Sequence, residues 1–551
     1  MQTLLIFITI YMLKLSLQGV TKMIRVSNIK LSIDDRGNYL TFIANKLGIN
    51  LEDIKSYTLI KESFDARKRH QNYVYTVDID VENEEKILNS NIKNISKIKP
   101  KAYSLPDINL KTAVKNSPIV IGSGPCGLFT AYSLAKAGLN PILLERGADV
   151  DTRVKKINRF WKDGILDENT NVQFGEGGAG TFSDGKLTTN IKNPRCNLVL
   201  DTFVDNGAPN TIKYSYQPHI GTDNLRKIVK NIREKILNLG GKIYFNSLVT
   251  DVLIKNNKAY GVEINAKQEI YSDYIILAIG HSARDTYTML NSKNILMEPK
   301  PFSIGLRIEH LQSELNLSQY GEYASHPNVD PASYKLKYHS KNGRSAYSFC
   351  MCPGGVVVAS SSNEGEVVTN GMSFYNRGGK NANSAILVGV SPDDFIGDHP
   401  LSGVEFQRKW ERKAFELGGK DFSAPVQLVG DFLTDQKSTT LGKVKPTYRP
   451  GVTLAKLSEV LPDYVTQTLK EAIVFWNRYV DGFSGDENIL TGVETRSSAP
   501  LRIVRNKDME SSVSGLYAAG EGAGYAGGIM SAAVDGIKVS ESIIKKLEQK
   551  Y

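Results

Sequence analysis

Three groups of residues in this chain have the types and spacing for chemistry. Gly122-Ser123-Gly124-Pro125-Cys126-Gly127 follows a short apolar run, Ile119-Val120-Ile121, and opens a helical pattern that runs to Gly138. Cys350 and Cys352 flank Met351 just before Pro353-Gly354-Gly355. Near the far end, Ser514-Gly515-Leu516-Tyr517-Ala518-Ala519-Gly520-Glu521-Gly522 leads through Ala526-Gly527-Gly528-Ile529-Met530 into a helical run over 531–547. No Ser-His-Asp arrangement, metal-ligand cluster or Walker phosphate loop accompanies them, so no metal site is expected and neither a hydrolase nor a kinase is indicated.

The first group is the most explicit. Gly122 permits a tight turn, Gly124 lets a pyrophosphate approach the backbone, and Gly127 lets the helix pack close to the strand. Pro125 begins the helix, whose free amides and positive end hold phosphates. A second strand over 141–144 ends in Glu145-Arg146-Gly147, and a carboxylate at that tip can accept bonds from ribose hydroxyls. Strand, helix, strand and acid in register make a dinucleotide-binding unit, and Arg146 joins its candidate contacts.

The late segment resembles the strand-glycine-acid motif of flavoproteins of the glutathione-reductase class. The resemblance implies that Glu521, where many members have Asp, meets the ribityl chain. It also implies that the helix beginning near Ile529 points its N-terminus at the flavin pyrimidine. The alternative is a glycine-rich packing corner between strand and helix. The run Ser272-Asp273-Tyr274-Ile275-Ile276-Leu277-Ala278-Ile279-Gly280 resembles the strand that closes the FAD domain in that class. Before it lie strand-like stretches at 242–245, 248–254 and 259–264, with Val249 where such proteins contact adenine through the backbone. The motifs in this order imply FAD rather than NAD as cofactor, held by Gly122, Gly124, Gly127, Gly280, Gly520, Gly527 and Gly528 among others. No second GxGxxG unit is found, so NAD(P)H, if it is the electron donor, binds transiently.

Four further segments are similar to a bacterial family of uncharacterised FAD-dependent dehydrogenases. They are the stretch Val172-Gln173-Phe174-Gly175-Glu176-Gly177-Gly178-Ala179-Gly180-Thr181-Phe182-Ser183-Asp184-Gly185-Lys186-Leu187, the run from Pro301 through Arg307 to His310, Phe349-Cys350-Met351-Cys352-Pro353-Gly354-Gly355, and Gly492 through Arg496 to Pro500. The resemblance extends from Met23 onward. It implies an FAD-binding oxidoreductase with an inserted cap domain, a mostly antiparallel sheet over the flavin with a substrate cleft between. The family has no agreed substrate.

The glycines between 175 and 185 cannot build a core; they build backbone that approaches something flat or anionic. Gly177, Gly178, Thr181 and Lys186 are the cofactor contacts expected from this loop, with a tight surface loop as the alternative. If the stretch that holds them is a strand, Cys350 and Cys352 share a face. Such thiols could exchange electrons with a flavin or close as a reducible disulfide, or simply fill a buried strand as small apolar groups. Arg307 could anchor an acidic substrate and His310 could move a proton; ion pairing at the domain junction is the plain alternative, for Arg496 and Arg502 as well. Cys350, Cys352 and His310 are the catalytic candidates.

These residues need an α/β scaffold to hold them: a Rossmann-like FAD domain over 113–300 and 486–551, a cap over 301–485, and a small N-terminal α+β domain over 23–112. In the last, strands are expected at 24–31, 56–61 and 73–81, with a helix over 40–47 stopped by Gly48. The polar stretch 93–116 reads as a linker. Residues 1–22 carry an apolar run over 4–12, too short to span a bilayer. They read as a non-structural leader before a start at Met23, with a signal peptide as the alternative.

With 551 residues, 41% hydrophobic and 23% charged, the composition excludes a disordered chain, a collagen-like repeat and a polytopic membrane protein. Four cysteines are too few for a disulfide scaffold, which fits a reducing, cytoplasmic setting and no membrane partner. The net charge is +10, and residues 1–115 hold 18 Lys and Arg against 12 Asp and Glu. Arg67-Lys68-Arg69-His70 is the densest cluster, a solvated turn or a docking patch. Two functions follow as expectations: redox chemistry on a small molecule under the cap, or a flavin module delivered to RNA by the basic N-terminal domain.

Overall fold

The computed structural model describes residues 23–66, 71–98, 103, 105 and 116–549. The basic cluster at 67–70 and the apolar run at 4–12 lie outside these residues. The described chain forms two compact units, the smaller built from the described residues between 23 and 98 together with 213–217.

In the smaller unit, four antiparallel strands lie in the order Ile54–Asp65, Asn72–Val81, Met23–Ser32, Ile95–Lys97. Alternation of apolar residues explains it: Ile24, Val26, Tyr75, Val77 and Ile79 are fully buried while their neighbours face outward. The helix Tyr39–Leu47 ends at Gly48 in a left-handed C-cap, as its sequence predicts. The expected linker over 93–116 begins later than its polarity suggested, because Ile95–Lys97 pairs with the first strand. A three-residue strand is too short for periodicity to reveal.

In the larger unit, a five-stranded parallel sheet has the order Leu516–Ala518, Ile275–Leu277, Ile119–Ile121, Ile142–Leu144, Lys242–Tyr244. Ile119–Ile121, Ile275–Leu277 and Leu516–Ala518 are wholly buried, and strands buried on both faces read as continuous apolar runs, which is why these were visible in the sequence. The segments near residues 120 and 517 are thus separated in space by one strand. The helix Ile529–Glu548 lies against Pro125–Lys136 so closely that a Cβ on Gly536 would come 2.7 Å from Thr130 Oγ1. Ser540 donates to the Thr130 carbonyl at 3.1 Å across the same seam. Of the three stretches expected before residue 265, Lys242–Tyr244 joins the parallel sheet. Val249–Lys255 and Lys258–Ile264 instead form an antiparallel sheet with Gln268–Tyr271.

The cap is a seven-stranded sheet ordered Lys337–His339, Ser345–Cys352, Asn381–Val390, Phe302–Leu311, Ile489–Glu494, Ala424–Leu428, Val452–Leu454, parallel only at its last pair. Ile489–Glu494 is one of its inner strands, beyond the expected boundary at 485. The helices Ser402–Gly418 and Asp463–Trp476 supply much of its apolar packing. Chain entry and exit run side by side, Met297–Pro299 pairing antiparallel with Leu501–Ile503. Among the described residues, no helix is long and apolar enough to cross a membrane, and no cluster of side chains could hold a metal ion.

Candidate functional site: a nucleotide trough joined to a thiol pair

Two helix N-termini open on the same side of the parallel sheet. Pro125–Lys136 has Gly124 as its N-cap and Ile529–Glu548 has Gly528, and neither cap bonds the first-turn amides with a side chain. Both N-termini therefore present positive dipole ends and free donors to an anion. A Cβ on Gly127 would overlap the Gly122 carbonyl oxygen, so glycine is required for the turn to close on the helix. The space beside the α-carbons of Gly280, Gly527 and Gly528 is open to 4 Å. Gly520 packs on Cys126, a Cβ there falling 2.8 Å from the cysteine Cβ.

Between these openings lies His281, which the sequence reading did not single out. Its Nδ1 is 3.3 Å from Glu521 Oε1, and its Nε2 is buried with no hydrogen-bond partner. An orphaned buried donor costs free energy unless a ligand meets it. The open glycines, two uncapped helix starts and this nitrogen fit the diphosphate and ribityl chain of FAD.

Glu145 behaves differently from expectation. Its Oε2 accepts from the Ser123 amide at 2.8 Å and the Ser123 hydroxyl at 2.7 Å, and its Oε1 accepts from the amides of Gly147 and Gly175 at 2.9 Å. The carboxylate expected to meet ribose is already bonded within the chain, tying the first turn to the glycine-rich loop. Arg146 beside it stacks over Phe174 and pairs with Asp285 at 2.5 Å. Val249 is buried at the start of its strand.

The glycine-rich loop does approach the nucleotide turn: a Cβ on Gly178 would lie 2.8 Å from the Gly124 α-carbon. What shapes it is Arg153, fully buried on the helix Val150–Asp163. Its guanidinium donates to the carbonyls of Asn171, Val172, Gly175, Glu176 and Gly178 at 2.6–3.2 Å. Burial lowers this arginine to about 9. With carbonyls drawn inward, the loop turns main-chain amides elsewhere: Gly177 donates to the Ser123 carbonyl at 3.0 Å. Thr181 is buried, and its carbonyl accepts from the Thr222 hydroxyl at 2.8 Å. In an amphipathic helix pattern Arg153 looks like any surface arginine, so its role was not legible from spacing.

The loop ends at Lys186, which faces the two thiols of the cap. Ser345–Cys352 is not a regular strand: its register slips between Phe349 and Cys352, and Cys350 takes a left-handed φ of 44°. The simple same-face argument therefore fails, yet the bulge still brings the thiols together. Cys352 Sγ donates to the Cys350 carbonyl at 3.3 Å. The neighbouring Cys352 thiol lowers Cys350 below an ordinary thiol; burial opposes this, and the Lys186 and Arg307 charges reinforce it. Its neighbour Cys350, with burial, raises Cys352. Cys350 is partly exposed and Cys352 buried. Below them Asp184 accepts two bonds from Arg377, at 3.1 and 2.7 Å, and one from the Ser373 hydroxyl.

Arg307 does not wait for an acidic substrate. It is fully buried, bidentate to Glu494 and bonded to Asn383 Oδ1 at 2.7 Å and to the Cys350 carbonyl at 3.3 Å. His310 lies on the opposite face of the same strand, packed on Phe483 and 3.1 Å from the Tyr334 hydroxyl. Burial depresses it to about 4, so it is a neutral core histidine. Arg496 is likewise occupied. With Arg284 it encloses Glu411, whose burial would raise it but which the two guanidinium groups hold well below the usual carboxylate range. Arg496 also donates to Ser282 and Ser362, fastening the strand end after Gly280 to the cap. Arg502 stacks on Tyr525.

Residues 301–497 match the family described as FAD-dependent protein, C-terminal domain-like, and residues 23–80 match a Domain of unknown function (DUF8436). A protein of Clostridium beijerinckii carrying the description "Uncharacterized protein" is 50% identical over 536 residues, covering 95% of this chain and 99% of its own. Among solved structures, L-proline dehydrogenase from P. horikoshii aligns at 13% identity over 79% of this chain and 95% of its own, with a TM-score of 0.34. A geranylgeranyl bacteriochlorophyll reductase-like protein from Thermoplasma acidophilum aligns at 15% identity over 79% and 81%, with a TM-score of 0.34. The cofactor named by the matching family is the one the trough fits, FAD. The chain thus belongs to one family with the C. beijerinckii protein, and its residues 301–497 carry the segment that the FAD-dependent family model describes.

Proposed function

We propose that this protein is a soluble FAD-dependent oxidoreductase acting on a small organic substrate where the glycine-rich loop meets the cap. The observation that carries the reading is the convergence of two uncapped helix N-termini on open glycines and an unpartnered His281 nitrogen. Bound there, FAD supplies two-electron redox chemistry at its ring. The chain's own work is positioning. First-turn amides of Pro125–Lys136 hold the diphosphate, and His281 with Glu521 takes the ribityl hydroxyls. The N-terminus of Ile529–Glu548 favours negative charge beside it, which raises the affinity of a ring for electrons. Arg153 locks the loop, and Lys186 sets a positive charge at the cap side, where an electron-rich substrate group would sit. A nicotinamide donor, if used, enters the same opening transiently.

Purified protein should be yellow, with visible flavin bands that bleach on anaerobic addition of NADH, NADPH or dithionite, and heat denaturation should release about one FAD per chain. Colourless protein that neither retains nor takes up added FAD would refute the assignment.

A further inference from the structure

A regular strand spaces residues i and i+2 by two rises of about 3.3 Å with parallel side chains, too far apart and wrongly aimed for a disulfide, which needs Cβ atoms about 3.5–4.5 Å apart. At Cys350 the strand is not regular. The left-handed φ of 44° and the slipped register shorten the path between Cys350 and Cys352 until the Cys352 thiol hydrogen-bonds the Cys350 carbonyl at 3.3 Å. A non-glycine residue adopts such a backbone at a cost, and here the strained position is held by a cysteine. The bulge is also pinned from outside: Arg307 donates to the Cys350 carbonyl and Asn383 holds Arg307.

The surroundings separate the roles of the two sulfurs. Cys350 is the partly exposed one, next to Phe349, which is 42% exposed, and it feels the positive charges of Lys186 and Arg307. Cys352 is buried behind it. Lys186 ends the loop whose Gly178 rests on Gly124, so one continuous segment runs from the nucleotide turn to the thiols. By contrast Cys126 is buried in the first turn of the helix Pro125–Lys136, where burial raises it far above an ordinary thiol.

We infer that Cys350 and Cys352 are a redox-active dithiol exchanging with a disulfide substrate, Cys350 attacking and Cys352 resolving. The inference rests on the FAD assignment for its electron source. The Cys350 thiolate attacks one sulfur of a disulfide RS–SR, forming a Cys350–S–SR bond and expelling RS⁻. The Cys352 thiol gives up its proton and attacks the Cys350 sulfur, closing the intrachain disulfide and expelling the second RS⁻; with two protons the products are two RSH. Two electrons and two protons from reduced FAD return the disulfide to the dithiol. Run backwards, the same sequence oxidises a dithiol.

The test uses the full-length protein with its FAD and, as probes, oxidised dithiothreitol and oxidised glutathione. Equilibration against graded mixtures of oxidised and reduced dithiothreitol, acid quench and alkylation of remaining thiols should show two thiols lost together. Digestion without reductant should then give one peptide containing Cys350 and Cys352, lighter by two hydrogens. With oxidised glutathione, C352S should accumulate a stable mixed disulfide on Cys350, while C350S should not. Iodoacetamide should label Cys350 in the wild type at least tenfold faster than the partly buried Cys196. Thiols that stay reduced across the series, or Cys350 no faster than Cys196, would overturn the inference. That wild-type rate needs no variant to fold. Released FAD is measured on each sample, so yellow protein with inert thiols defeats the dithiol alone, and colourless protein defeats the FAD assignment.

Discussion

Arg307 and Glu494 meet across neighbouring strands of the cap, Nε to Oε2 at 2.6 Å and Nη2 to Oε1 at 2.8 Å, with the arginine wholly buried. A buried pair of this kind adds little over an apolar replacement, but removing one partner leaves a stranded charge. Glu494→Ala should therefore lower stability by about 3–5 kcal/mol, read as a shift in the urea midpoint. The double variant R307M/E494L should regain a large part of that loss. A Glu494→Ala protein as stable as wild type would mean that the pair is not closed in solution.

Arg153 is predicted to be the residue on which the glycine-rich loop depends. Its guanidinium serves five carbonyl acceptors at once, so Arg153→Ala should cost about 3 kcal/mol or more. Lysine, a point charge without a planar fork, should rescue poorly. Quenching of flavin fluorescence on titrating FAD into apoprotein should show weaker binding in both variants.

Gly527→Ala separates folding from cofactor binding. The position has open space for a methyl group and no left-handed φ, so the melting temperature of the apoprotein should stay unchanged. The methyl would project into the trough, and FAD affinity should fall at least tenfold. Equal losses of Tm and FAD binding would show that the glycine serves packing instead.

His310 gives a stability signature in acid. Burial holds its folded value at about 4, below the unfolded reference of about 6.5. Between those values the unfolded chain binds a proton that the folded chain refuses, so stability falls as pH drops from 6.5 towards 4. The full contribution is about 3 kcal/mol. His310→Gln should flatten that part of the curve measured by urea unfolding at several pH values.

The Cys350 thiol should ionise at lower pH than a free cysteine at about 8.5, because Cys352 and Lys186 favour its thiolate. The pH profile of iodoacetamide labelling at Cys350 should therefore be displaced to the acid side. Lys186→Met should move the profile back towards higher pH while leaving the bond from the Cys352 thiol to the Cys350 carbonyl in place.

The sequence by itself determined the nucleotide-binding turn, the late glycine-acid segment and their order along the chain. Such features are written in contiguous spacing: Gly122, Gly124 and Gly127 do their work within one turn of backbone, and buried parallel strands announce themselves as apolar runs. Only the tertiary structure decided which charged groups were left for chemistry. Arg307, Arg496 and Glu145 look available in the sequence, and each is consumed by a partner 20 to 200 residues away. His281 and Arg153 look ordinary and prove to shape the trough. The left-handed bulge at Cys350 was equally hidden, since a register slip is settled by pairing with Asn381–Val390 and not by the alternation of residues along its own strand. Local spacing fixes how near a residue is to its chain neighbours; whether a charge is satisfied or free depends on which distant segment folding brings against it.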